Sequence, residues 1–189
     1  IKDAYASIKE PWTKTFGLTA GVFDRPFGFE ISYSSSNREA PECSRMYQTL
    51  FPGDRDMGAK IEIVPPESSP MHWFNLKAGL FTGMGPTAQE NDNNKDIIGR
   101  AGFTLPMRDA GLEIDGGVSW YIGKVRSNQR AVYTMDAGTK AFAYDSSASN
   151  NGSYFDRTYI GADLQIYYEV PVLGGMTLRG EYISGKQPG

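Results

Sequence analysis

The chain keeps returning to one pattern: stretches of about ten residues in which apolar side chains alternate with polar or small ones. In one of them Leu112, Ile114, Val118, Trp120 and Ile122 fall on one side, and Glu113, Asp115, Ser119 and Tyr121 on the other. A strand turns successive side chains to opposite faces, so this spacing predicts a long strand with one oily and one wet face. The same alternation predicts strands over 13–23, 57–64, 72–82, 97–105, 154–170 and 176–184, seven in all, with shorter candidates at 131–135 and 141–144. Residues 1–12 carry no such period, and 24–56 reads as irregular.

The connections come in two sizes. Those at 65–71, 106–110 and 171–175 are short, those at 24–56, 83–95 and 125–153 are long and polar, and the two kinds alternate along the chain. With antiparallel neighbours, every short turn then falls at one end of the sheet and every long loop at the other. Outer-membrane barrels have that asymmetry, and a tilted strand of about 9–11 residues crosses a bilayer. The expected fold is therefore all-β: an antiparallel transmembrane β-barrel, with residues 1–189 a portion of a single outer-membrane barrel domain. No apolar run is long enough for a transmembrane helix. The negative mean hydropathy of -0.43 is compatible with a membrane barrel, because half of each strand is polar. Seven strands leave one edge without a partner, and an open edge cannot lie in lipid, so the chain reads as part of a longer polypeptide.

Other functional classes find little support. Nineteen basic against 22 acidic side chains do not suggest a nucleic-acid partner. Cys43 is the sole cysteine, so neither a disulfide nor a cysteine zinc site forms within the chain. His72 is the sole histidine, and no nucleophile-elbow motif accompanies it. Asp92-Asn93-Asn94-Lys95-Asp96 spaces oxygens as a calcium loop does, but Ile97 stands where the glycine belongs and Phe103 where the closing Glu should be. No catalytic residue, metal or cofactor is expected. Aromatic residues near strand ends (Trp73, Phe74, Trp120, Tyr121, Tyr154, Phe155, Tyr167 and Tyr168) suit the girdles of a membrane barrel, although aromatics favour strands in any case.

Three segments carry a likeness to a known family. They are Gly21-Val22-Phe23-Asp24-Arg25-Pro26-Phe27-Gly28-Phe29-Glu30; the run from Leu50 through Pro52-Gly53-Asp54-Arg55 to Gly58; and Arg179-Gly180-Glu181-Tyr182-Ile183-Ser184-Gly185-Lys186-Gln187. With Ser34-Ser35-Ser36 and Arg45, the chain resembles the phosphate-selective porins O and P, in their Bacteroidetes branch. Cys43, before Ser44-Arg45, departs from that pattern. The resemblance implies a homotrimeric sixteen-stranded barrel in the bacterial outer membrane, in contact with its lipid, through which anions such as phosphate diffuse. The family's Arg and Lys positions do not map residue by residue onto this chain.

If the apolar faces meet lipid, the wet faces line a pore. Lys60, Lys77, Arg100 and Arg179 would then face Glu113 and Asp115, together with Glu62, Asp163, Glu169 and Glu181. Such a mixture predicts a transverse field that passes small hydrophilic solutes rather than a phosphate trap. The 24–56 loop is the expected constriction, with Arg25, Arg38, Arg45 and Arg55 either lining the pore or pairing with adjacent acids to hold the loop's shape. Two alternatives remain open from sequence: a soluble ligand-binding β-barrel with its oily face inward, and a structural outer-membrane barrel that does not conduct.

Overall fold

The computed structural model describes residues 3–33, 40, 42–86, 93–136 and 138–187. Eight strands make one antiparallel sheet in the order β1-β2-β3-β4-β5-β6-β9-β10. They are β1 (Ala4–Lys9), β2 (Phe16–Asp24), β3 (Arg55–Ile63), β4 (Phe74–Phe81), β5 (Asp96–Met107), β6 (Leu112–Arg126), β9 (Tyr154–Val170) and β10 (Gly174–Lys186). The remaining two, β7 (Val132–Met135) and β8 (Phe142–Asp145), pair only with each other. The chain is all-β and meandering, and only the β6-to-β9 step passes over another pair of strands. β1 and β10 are the two edges and do not pair with each other, so the described sheet is open rather than a closed barrel.

β1 corrects the expectation for residues 1–12 and raises the sheet from seven strands to eight. Its small residues give no hydrophobic period. What makes it a strand is its register on β2, from Ala4 opposite Val22 to Lys9 opposite Gly17. Its turn into β2 adds a fourth short connection at the end that already holds 64–73, 108–111 and 171–173. Glu10 organises that turn: its carboxylate accepts the N–H groups of Trp12, Thr13 and Thr15 at 2.9, 3.0 and 2.9 Å, and the Thr13 hydroxyl. These donors, the Thr13 hydroxyl foremost, lower the carboxyl to about 2. The long connections 25–54, 82–95 and 127–153 all leave the opposite end.

The two faces differ as the alternation predicts. Cross-strand pairs join the apolar side chains into one continuous surface: Leu18 opposes Ile61, Leu80 opposes Ile97, and Ile97 opposes Ile122. Further along, Trp120 opposes Ile160, Ile114 opposes Ile166, and Ile166 opposes Leu178. Much of that surface is bare: Ile61, Ile122, Ile160 and Leu178 are each more than half exposed. A soluble protein rarely leaves an oily patch of that extent uncovered. Leu164 is 46% exposed, and neither it nor Leu112, Ile114 or Ile166 belongs to the buried core.

The core lies on the other face. Phe23, Phe81, Ile98, Tyr121 and Tyr159 project from the strands and pack with Phe27, Ile31, Tyr47 and Phe51, which come from the 25–54 segment. For that segment to touch β2, β6, β9 and β10 together, the sheet must curl around it. The packing also revises the girdle expectation. Trp73, Phe74, Trp120, Tyr154 and Tyr168 lie at turns or on the apolar side, whereas Tyr121 is buried inside, and Phe155 and Tyr167 share its side by alternation.

Candidate functional site: the inner face and the segment folded onto it

The 25–54 segment is less irregular than its sequence suggests. Ser44 caps a short helix α1 (Arg45–Leu50) by accepting the Tyr47 N–H at 3.4 Å, and Glu30 binds the Ser44 hydroxyl at 2.8 Å. A serine at this position satisfies an otherwise orphan N–H. Pro52 follows Phe51 and cannot extend the helix. The helix directs Tyr47 and Phe51 at the sheet, where the Phe51 ring lies 4.9 Å from Phe27, 5.6 Å from Tyr159 and 5.9 Å from Tyr121.

Polar anchors fix the segment at three heights. At the long-loop end, Arg25 meets Asp56 at 3.4 Å with both side chains buried. Asp56 also accepts the Thr82 hydroxyl at 2.6 Å and the Gly83 N–H at 2.8 Å. At mid-height the Gly28 N–H donates to Ser119 Oγ at 2.9 Å, and the Tyr47 hydroxyl donates to Glu181. Gly28 has φ +60, and a Cβ there would overlap the Glu181 carboxylate and the Tyr47 hydroxyl, so only glycine fits. Burial, and then the Glu181 charge, push the Tyr47 phenol well above its ordinary range, which keeps it a donor. Lowest, Arg179 donates to the Tyr33 hydroxyl at 2.9 Å and stacks on Tyr33 and Tyr167, at 4.4 and 5.6 Å from the ring centres.

Below Arg25 the segment stands off the strands and leaves a cavity of about 320 Å³. Four of the six residues read from sequence as pore-lining, Lys60, Lys77, Arg100 and Asp115, line this one cavity. Arg100 forks onto Asp163 at 3.0 and 2.5 Å, and Lys60 meets Glu62 at 2.8 Å. Glu113 lies elsewhere, in a larger hollow of about 1090 Å³ at the short-turn end, with Glu67, His72, Arg108 and Glu169. Arg179 is taken up by the Tyr33 anchor.

The four loop arginines part company. Arg25 and Arg55 hold the segment's ends: Arg55 reaches Asp24 and Asp3, each at 3.1 Å, and Asp54 at 3.8 Å. Arg45 is exposed on the first turn of α1. Arg38 lies outside the described residues. For Arg25 and Arg55 this geometry fits the reading in which loop arginines pair with nearby acids.

Sequence reasoning passed over a second inner network. Asp96, the last member of the calcium-like run, lies buried; it accepts from the Tyr121 hydroxyl and stands 3.9 Å from Arg157. Arg157 in turn donates to the Gly83 carbonyl at 2.8 Å, tying the 82–95 connection to β9. Asp92 lies outside the described residues. The missed signal was the four-residue spacing of Phe27 and Ile31, and of Tyr47 and Phe51, inside a polar stretch. No protein-family model, curated protein or solved structure matches this chain.

Proposed function

We propose that this chain forms part of the wall and the constriction of a passive outer-membrane diffusion channel, of the kind the porin O/P resemblance implies. One observation carries the reading: a continuous apolar sheet face lies bare while the opposite, charged face holds an inserted segment and two hollows. A soluble binding barrel would arrange its faces the other way round. The long strands suit the role, since β6 with 15 residues and β9 with 17 exceed the roughly 9–11 that a tilted crossing needs. Trp12, Phe16, Trp73 and Tyr168 supply rings near the short-turn end, where one interfacial belt belongs.

The inserted segment bears on barrel size. Eight strands closed on themselves leave room for side chains or one small ligand. Here the inner face also accommodates a helix and its flanking chain, so we assign the sheet to a wider barrel that supplies partners to the β1 and β10 edges. A homotrimer of such barrels is part of the same proposal. The solutes are small and hydrophilic. Strong phosphate selectivity is not part of it, because Arg25, Lys60 and Arg100 each face a carboxylate.

The aromatic packing of Phe27, Tyr47 and Phe51 favours a second reading, a structural barrel that does not conduct. Planar-bilayer recording of the purified full-length protein separates the two. The channel reading expects discrete conductance steps, with a reversal potential near zero in a salt gradient. A silent bilayer would remove it in favour of the structural barrel.

A further inference from the structure

We infer that the cavity beneath residues 25–33 is a holding site for a small zwitterionic solute, such as a free amino acid, with Lys77 taking its carboxylate and Asp115 its ammonium group. This deepens the channel reading and rests on it for the solute's route to the cavity. The argument is a charge inventory. Four cations and two anions line the space: Arg25, Lys60, Lys77 and Arg100 against Asp24 and Asp115. Arg25 is committed to Asp56 at 3.4 Å, Lys60 to Glu62 at 2.8 Å, Arg100 to Asp163 at 2.5 Å, and Asp24 to Arg55 at 3.1 Å. Among the described residues, that leaves one ammonium and one carboxylate without a close ion pair.

Their surroundings sharpen the assignment. Asp115 Oδ1 is buried and has no hydrogen-bond partner among the described residues, a costly arrangement for a carboxylate oxygen unless something donates to it. Lys77 sits on β4 between Glu62 and Arg100 in register, yet Glu62 has closed on Lys60 instead. Asp115 lies on β6, beyond β5 from Lys77 and four positions nearer the short-turn end than Ser119, the β6 residue in register with Lys77, so the two charges stand apart along the cavity lining. A lone anion would satisfy Lys77 and leave Asp115 stranded; a lone cation would do the reverse. A molecule carrying both charges satisfies each. The volume of about 320 Å³ lies at the small end of ligand sites, which suits an amino acid rather than a sugar chain.

The test is calorimetric titration of the detergent-solubilised full-length protein with glycine, β-alanine and γ-aminobutyrate, against acetate, methylammonium and inorganic phosphate. At least one zwitterion should bind about tenfold or more tightly than acetate and methylammonium. Lys77→Met and Asp115→Asn should each remove that preference. The wild-type ligand series stands alone if a variant does not fold. Acetate or phosphate binding as tightly as the best zwitterion would overturn the inference, as would no binding by a protein that conducts. Zwitterion binding by a protein that does not conduct would keep the site and remove the channel.

Discussion

Two long connections leave the same end of the sheet and meet opposite fates. The described residues of 25–54 place Phe27, Ile31, Tyr47 and Phe51 in the buried core and are pinned by Arg25, Gly28 and Tyr33. The described residues of 127–153 instead include the β7–β8 ribbon, whose strands pair only with each other. There Tyr133 opposes Tyr144 and Met135 opposes Phe142, so the four share one face, and each is more than half exposed. Both are aromatic, and both look polar on average. The difference is that the first spaces Phe27 and Ile31, and Tyr47 and Phe51, four residues apart and buries them in one cluster with Tyr121, Tyr159 and Phe81 of the sheet, whereas the second pairs Tyr133 with Tyr144 within itself. Aromatic content alone therefore does not tell a segment that packs onto the sheet from one that stays exposed. What separates them is whether the wall offers a matching apolar patch.

The contrast predicts a large inequality between two chemically similar truncations. Phe51→Ala empties a fully buried ring site and should cost roughly 3–5 kcal/mol in chemical unfolding, while loosening the segment enough to raise single-channel conductance. Phe142→Ala, at a ring 72% exposed, should stay within about 0.5 kcal/mol and leave conductance unchanged. Equal costs at the two sites would break the comparison.

A smaller effect sharpens the other end of the sheet. Glu10 is held at about 2, below its ordinary 4.5, by donors in the β1–β2 turn. Because the folded value is depressed, the turn's added stability is fully present above the ordinary value and fades as pH falls toward 2. Amide exchange at Thr13 and Thr15 should therefore gain protection from pH 2 to about 5 beyond the intrinsic exchange profile, and Glu10→Gln should abolish the gain. A flat corrected profile would remove Glu10 as the organiser.

How much of this was legible in the sequence follows from the physics of each part. Strands with one face bare declare themselves, and 154–170 reads directly from Ile160, Ala162, Leu164 and Ile166 opposite Asp163 and Gln165. β1 did not, because Ala4, Ala6 and Ser7 carry little hydrophobic contrast and its state is set by pairing with β2. Helix α1 was hidden in a stretch whose prolines and charges dominate the local signal. Among the site residues, alternation put Lys60, Lys77, Arg100 and Asp115 on one face. It could not show that Asp163 would neutralise Arg100 across β6, which depends on long-range register, or that Glu62 would turn to Lys60 on its own strand rather than to Lys77 opposite it, which is a matter of rotamer.

The central claim is an orientation, and accessibility of nitroxide labels in lipid vesicles tests it most directly. Labels placed one at a time from position 160 to 167 of the full-length protein, with Cys43→Ser as background, should alternate with a period of two. Positions 160, 162, 164 and 166 should collide with dissolved oxygen more than with a water-soluble nickel chelate, and positions 161, 163, 165 and 167 should not. High nickel access at 160, 164 and 166 would mean that these side chains meet water rather than hydrocarbon, contradicting the account.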